Sequence, residues 1–304
     1  MIDFNIPFAQ LPVGAVKSHF FDSGSFSLWS RSQSYAKENN CSQWDFYDTE
    51  QFWNYIDNYA VFVRENRAGI DYYSNVDAIP NPKLTWRNQR YLEDSHNLEP
   101  IPVVHFPTDL KWLQRYIDRG YEYISLGGMV GSIRQDDCRF WIDSAFDLVC
   151  STPNRMPKVK IHGFGVTSFD MLLRYPWYSV DSTSWTKMGA FGGIYVPHKR
   201  GGKFVYDTPP YTIKCSIDSP DKSKRGKHVL NISKMEIKII KEWLEFIDIP
   251  LGKIDIDGEV LEWGVITRHT ERRAANLLFY EQMLKHIQPW PWAFTSLKIK
   301  GFGI

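Results

Sequence analysis

Between residues 16 and 182 the chain alternates six short apolar runs with stretches of helical period, and this alternation limits the fold more than any other feature. The runs are 16–22 (VKSHFFD), 71–77 (DYYSNVD), 101–106 (IPVVHF), 122–127 (EYISLG), 159–164 (VKIHGF) and 178–182 (YSVDS). Helical patterns lie between them at 49–67, 84–94, 108–119, 139–149 and 167–175. At 108–119, Thr108 is the expected N-cap, Leu110, Leu113 and Ile117 share a face, and Gly120 is the expected stop. Short loops between strands and helices call for parallel strands with helical crossovers, hence an α/β fold. A length of 304 residues suits one TIM (β/α)8-type barrel with insertions, so a single domain over 1–304 is expected. Two strands are then still to be placed, one near 2–8 and one after 190. Residues 186–232 break the rhythm with GG, PP and basic clusters and read as an inserted hairpin or loop region. Helices near 233–247 and 267–286 follow, completing the barrel within 233–304.

Charge and cysteine usage exclude several classes. The net charge is +1, so the protein as a whole is not a general polyanion binder. Residues 195–230 nevertheless hold eight Lys and Arg against three Asp, a local net of +5. The clusters HKRGGK (198–203) and KSKRGKH (222–228), with Lys199, Arg200, Lys203, Lys224, Arg225 and Lys227, could track a phosphate backbone or form a solvated loop. Arg268, Arg272 and Arg273 on the last helix could extend that surface or pair with Glu271 and solvent. The four cysteines are far apart, with no CxxC pair, so neither a zinc site nor a disulfide framework is expected. The start MIDFNIPFAQLPVG lacks the pattern of a signal peptide, and no run of about 18 apolar residues could span a membrane. A cytoplasmic protein is expected. Aromatics reach 15%, with 12 Trp, which suits both core packing and the stacking of flat rings.

In a barrel, functional residues gather at the C-terminal ends of the strands. Those ends carry Asp22, Asp77, His105, Gly127-Gly128, His162-Gly163 and Asp181. Singly, such an Asp is more often a helix cap, such a His a structural residue, and Gly-Gly a turn. Their joint placement carries the weight. Two separated carboxylates suit glycosidic chemistry, one attacking the anomeric carbon and the other managing protons. No Ser-His-Asp order, P-loop or HExxH competes, and Gly163-Phe164-Gly165 lacks the third glycine of a dinucleotide fingerprint.

At these residues the sequence resembles the tRNA-guanine transglycosylase superfamily. Asp22-Ser23-Gly24-Ser25-Phe26 resembles its DSGG-aromatic motif, which carries the proton-handling Asp. Asn75-Val76-Asp77 and Val104-His105 lie where that family reads the base edge, with Asp and with Gln. Ser125-Leu126-Gly127-Gly128-Met129 resembles its IGGL loop, and His162-Gly163-Phe164-Gly165-Val166-Thr167 its MGVGT turn. Tyr178-Ser179-Val180-Asp181 lies where the nucleophilic Asp sits. The motifs run in family order over residues 16–185. KxHGFGxTSF and RYPWYSVDSTSW are closest to the DpdA-type DNA 7-deazaguanine transglycosylases of phages and bacteria. The zinc motif CxCxxC…H of the tRNA enzymes is missing, Ser25 replaces a glycine, and His105 replaces the recognition Gln.

The resemblance implies exchange of guanine in DNA for a 7-deazaguanine such as preQ0, with tRNA as the alternative substrate. The same residues would also suit a base-excising DNA glycosylase or a non-catalytic nucleic-acid-binding barrel. Asp181 would be the nucleophile and Asp22 the general acid/base. Ser23, Phe26, Asp77, His105, Gly127, Gly128, Met129, His162 and Gly163 would bind the base, with Phe26 and His162 sandwiching it. Ser179 or Ser182 would support the ionised Asp181, and partial burial would lift the pKa of Asp22. No cofactor or metal is expected, and the missing zinc-associated face is consistent with a monomer.

Overall fold

The computed structural model describes residues 18–129, 135–166, 168–220, 223, 226 and 228–296. The chain divides into two compact units: Met1–Gly165 with Pro176–Val180 and Pro291–Ile304, and Val166–Tyr175 with Asp181–Trp290.

The first unit runs β1 (Phe20–Phe21), α1 (Ser25–Asn39), α2 (Glu50–Glu65), β2 (Tyr72–Tyr73), α3 (Pro82–His96), β3 (Val103–His105), α4 (Lys111–Asp118), β4 (Tyr123–Gly127), α5 (Gln135–Val149), β5 (Lys160–Gly163) and β6 (Ser179–Val180). Each of the six apolar runs contains a strand, and the pairing of these strands follows chain order. β1 lies parallel to β2, a parallel bridge at Ser74 and Ile101 follows, and β3, β4, β5 and β6 form one parallel sheet. The protein is thus a mixed α/β fold built on parallel strands.

Strand alternation sorts the side chains. Phe21 turns outward, its ring centroid 4.9 Å from Phe62 and 5.8 Å from Tyr59 on α2. Phe20 turns inward and stacks on His162 of β5, with ring centroids 4.4 Å apart. Neighbouring strands are about 4.8 Å apart, so in a flat sheet β1 and β5 would be roughly 19 Å apart. The arrangement is therefore strongly curved. Tyr123 of β4 meets Tyr72 at the start of β2 and Tyr178 just before β6 at 5.2 Å in each case, so residues two strands apart touch on the concave side. Behind the strands, Phe52, Ile56, Tyr59, Val63, Val76 and Leu92 are sealed from water.

α4 begins later than the sequence suggests. Its N-cap position is Leu110, and the Thr108 hydroxyl instead donates to His105 O at 2.6 Å, closing the turn after β3. Gly120 ends this helical segment with a φ of 83°, and Leu113 is its buried anchor. The helix α1 is not predicted by periodicity, whereas the helices expected near 233–247 and 267–286 are present at Lys234–Phe246 and His269–Leu284. The strand expected near 2–8 lies outside the described residues.

The second unit contains α6 (Phe169–Arg174), α7 (Ser184–Ala190), β7 (Gly193–Val196), β8 (His198–Arg200), β9 (Lys203–Val205), β10 (Tyr211–Lys214), α8 (Lys234–Phe246), β11 (Lys253–Ile254), β12 (Val260–Glu262) and α9 (His269–Leu284). β7 pairs antiparallel with β10, β8 with β9, and β11 with β12. The β8–β9 turn is Gly201-Gly202, with φ of 55° and 80°, the left-handed pair that a tight two-residue hairpin demands. Trp243, Phe279, Ile194 and Ile240 form the buried centre.

Arg272 does not extend a basic surface. It is buried, and it donates to Gly189 O and Val265 O at 2.8 Å each, satisfying carbonyls that water cannot reach. One turn on, Asn276 accepts from Tyr195 N–H at 2.8 Å, joining α9 to β7. Arg268 lies over the Trp263 ring at 3.8 Å. α7 meets α9 at Gly189, where an added Cβ would stand 2.9 Å from Arg273 N and 3.1 Å from its Cα. Backbone cannot step aside as a side chain can. Gly189→Ala is expected to destabilise the protein by about 2 kcal/mol through overpacking, read as a lowered urea midpoint.

Candidate active site

The β1–α1 turn is Asp22-Ser23-Gly24-Ser25. Gly24 has a φ of 72°, which reverses the chain and opens α1 without a side-chain cap. Ser23 and Ser25 turn inward, with their hydroxyl oxygens 2.8 Å apart. Ser23 N–H donates to Ser74 Oγ at 2.9 Å, and Tyr55 OH donates to Ser23 O at 2.6 Å. Tyr59 OH donates to Ser74 O at 2.6 Å. The turn is thus fastened to α2 and to the end of β2. Asp22 itself is exposed, with Oδ1 accepting from Gly24 N–H at 3.4 Å. Asp22 is thus more exposed than the partial burial expected for it, and its charge lies close enough to raise the pKa of the Tyr55 and Tyr59 phenols, which burial raises first.

Asp77 and His105 form the buried heart of the first unit. Asp77 Oδ2 lies 2.8 Å from His105 Nε2, with both side chains about 95% buried. The loop that carries Asp77 is held by α3, whose inner face is polar. Asn75 Nδ2 donates to Thr85 O at 2.9 Å, Ala78 N–H donates to Thr85 Oγ1 at 3.0 Å, and Asn88 Nδ2 donates to Val76 O at 2.8 Å. Ser25 Oγ accepts from Asp77 N–H at 2.9 Å. The glycine pair has a direct role here. A Cβ on Gly127 would lie 3.0 Å from His105 Cδ2, so the bare backbone is what lets the imidazole lie across the end of β4. Gly128 has a φ of 75°, and a Cβ there would meet Phe106 O at 2.8 Å. Met129, half-buried, follows.

His162 is buried on β5. Its Nδ1 is 2.6 Å from Ser179 Oγ, which is 2.5 Å from Tyr123 OH. Phe20 stacks on one face at 4.4 Å, and Phe164 meets the ring edge-on at 4.5 Å. Gly163 beside it pairs in register with Val180. Phe26, two-thirds exposed on the first turn of α1, packs against Trp29 at 5.4 Å. Of the two rings expected to sandwich the base, Phe26 is thus exposed and His162 has one face covered by Phe20.

Burial pushes the His162 pKa down to about 4, below its ordinary value of 6.5. The folded state then binds its proton less readily than the unfolded chain, so stability is full above pH 6.5 and declines as pH falls toward 4. Between pH 7 and pH 5 this one group should remove about 2 kcal/mol. Urea melts of wild type and His162→Gln at the two pH values check it, and the variant should lose less stability on acidification.

Asp181 belongs to the second unit, is exposed, and is the next residue in the chain after β6. Of the hydroxyls expected to support it, Ser179 bonds to His162 and Tyr123, and Ser182 Oγ accepts from Ser184 N–H at 3.0 Å, which leaves the Ser182 O–H able to donate. Lys199, Arg200 and Lys203 line the β8–β9 hairpin. Lys199 Nζ donates to Glu242 Oε2 at 2.5 Å, Arg200 pairs with Asp207, and Lys203 is exposed. An exposed pair such as Arg200–Asp207 is worth about 1 kcal/mol or less, too little to hold the guanidinium from a phosphate. Lys224, Arg225 and Lys227 lie outside the described residues.

Phe20, Ser74, Tyr55 and the polar face of α3 pack around these residues and are not picked out by motif, and Ser25 stands in the motif only as a replacement for glycine. The one signal for Phe20 is strand alternation, which puts it on the same face as Asp22. Among the described residues, no group of three His, Cys, Asp or Glu side chains is placed to hold a metal ion, and no helix is long and apolar enough to cross a membrane. Neither a protein-family model nor a curated protein matches the sequence.

Proposed function

We propose that the protein is a glycosyl-exchanging enzyme of barrel architecture, and specifically a DNA-guanine transglycosylase that inserts a 7-deazaguanine such as preQ0. The observation that carries the reading is the set of groups at the C-terminal ends of successive parallel strands. Asp22 follows β1, Asp77 follows β2, His105 ends β3, Gly127 ends β4, His162 lies on β5, and Asp181 follows β6 in the chain. The chain-order pairing of these strands and the Phe20–His162 contact support a barrel.

In this reading the target nucleotide is flipped out of the DNA, since C1′ is out of reach in a stacked duplex. The Asp77–His105 pair and the backbone at Gly127 and Gly128 hold the base edge. An Asp181 oxygen attacks C1′, the C1′–N9 bond breaks with its electron pair going to guanine, and Asp22 protonates the departing base. The incoming deazaguanine gives its N9 proton to Asp22. Its N9 then attacks C1′ and expels the Asp181 carboxylate, so two displacements retain configuration. Every proton and electron pair is accounted for without a cofactor. The β8–β9 hairpin contributes cations to the DNA backbone.

The test is incorporation of labelled guanine into DNA or tRNA. Label in DNA supports the proposal, and label in tRNA alone moves the substrate to RNA. Release of guanine without incorporation points to a base-excising glycosylase. No exchange and no release, with nucleic acid still bound, leaves a binding protein.

A further inference from the structure

Five buried residues form one hydrogen-bonded chain across the first unit, and Ser25 is its middle link. Ser23 N–H donates to Ser74 Oγ at 2.9 Å, and Ser23 Oγ meets Ser25 Oγ at 2.8 Å. Ser25 Oγ then accepts from Asp77 N–H at 2.9 Å, and Asp77 Oδ2 meets His105 Nε2 at 2.8 Å. None of the five residues is more than 4% exposed. A hydroxyl suits the middle position because one oxygen can accept from an amide while it also bonds to a second hydroxyl. Alanine or glycine there would leave the Asp77 amide and the Ser23 hydroxyl to find partners in a site closed to water, which costs stability unless the loop moves.

We propose that Ser25 is a positioning residue: its hydroxyl sets the backbone of Asp77 relative to the turn that carries Asp22, and so sets the aim of the Asp77–His105 pair at a bound purine edge. The ligand named here rests on the base-exchange reading, whereas the coupling of Ser25 to His105 rests on the hydrogen bonds alone. Hydrogen bonds weaken steeply with angle, so a small shift of the Asp77 backbone alters how the carboxylate meets His105 and the base.

The experiment uses the full chain and the variants Ser25→Ala, Ser25→Thr and Ser32→Ala. Ser32 is buried on the same helix and donates to Trp29 O at 2.8 Å, so it controls for general damage to α1. Free guanine is the calorimetric probe, and the His105 ring Nε2–H, assigned by its loss in His105→Gln, is the NMR probe. Ser25→Ala should stay folded by circular dichroism, bind guanine about tenfold more weakly, and show a displaced or rapidly exchanging His105 signal. Ser25→Thr keeps the hydroxyl and should restore both, and Ser32→Ala should alter neither. A folded Ser25→Ala with an unmoved His105 signal overturns the proposal. So does an equal loss in Ser32→Ala, which would make the effect a general loosening of the helix. If Ser25→Ala does not fold, Ser25→Cys takes its place, because a thiol is a weak acceptor of similar size. If wild-type protein binds no guanine, the base-exchange reading is what fails, and the His105 signal alone decides the positioning role.

Discussion

Replacing Asp181 by alanine is expected to reduce base exchange by about 10⁴-fold or more, because the nucleophile of a double displacement has no substitute in the site. In the proposed reaction no glycosyl-enzyme forms without its carboxylate, so neither half of the exchange proceeds. The readout has two parts: incorporation of labelled guanine into DNA, and the covalent adduct recovered after denaturation during turnover. Both should vanish together. An exposed Asp just past a two-residue strand adds little to stability, so the circular dichroism and urea midpoint of Asp181→Ala should stay close to wild type. That separation matters, since a variant that loses exchange because it unfolds says nothing of a nucleophile. Asp22→Asn should behave differently. It keeps Asp181 but cannot exchange a proton, so the adduct should form slowly and the second displacement should stall. Exchange retained in Asp181→Ala removes this residue from the chemistry and with it the covalent route.

The six strands were legible because buried parallel strands read as short apolar runs, and each run here is bounded by a helix pattern or turn residues. The helix α1 was hidden for a specific reason. Its inward stripe is Ser25, Leu28 and Ser32, two hydroxyls and one apolar side chain, so its helical period barely registers in hydrophobicity. Small residues there let the serines bond to the β1–α1 turn and to the helix backbone. The helix α3 was legible over 84–94, but its polar buried face was not: Thr85, Asn88 and Gln89 are fully buried because they satisfy loop carbonyls and amides, work that apolar residues could not do. Candidate site residues were visible as strand-end Asp and His, because strand ends can be counted along a sequence. What could not be counted was depth. Asp22 ends exposed whereas Asp77 is buried, its loop held by the polar face of α3, and neither depth is written in the spacing of strand ends. Arg272 shows the converse. Its charge read as surface, yet two carbonyls left open where α7 ends and before α9 begins draw the guanidinium inside.

Asp77→Ala should cost about 3 kcal/mol and weaken guanine binding by about two orders of magnitude, and comparison with Asp77→Asn separates the two effects. The carboxylate is about 95% buried and its partner is a ring nitrogen at 2.8 Å, so truncation strands a polar group where water cannot replace the missing acceptor. Removing one partner of such a bond costs the desolvation of the other, which is why the loss exceeds the net worth of the bond itself. Asn at this position fills the same space and keeps one oxygen that can accept from His105 Nε2. The backbone N–H of residue 77 still donates to Ser25, so the loop held by Thr85 and Asn88 should stay in place. Asp77→Asn should therefore lose only about 1 kcal/mol, the difference between a charge-assisted and a neutral hydrogen bond. Binding should not recover with stability. An ionised carboxylate only accepts, whereas the amide places donors where a purine edge presents its own N–H groups, and two donors facing each other repel. Urea melts and guanine calorimetry on the two variants should thus diverge, with Asp77→Asn near wild type in stability and near Asp77→Ala in affinity. If affinity follows stability through the series, Asp77 acts as a structural anchor for His105, and the base edge is read elsewhere.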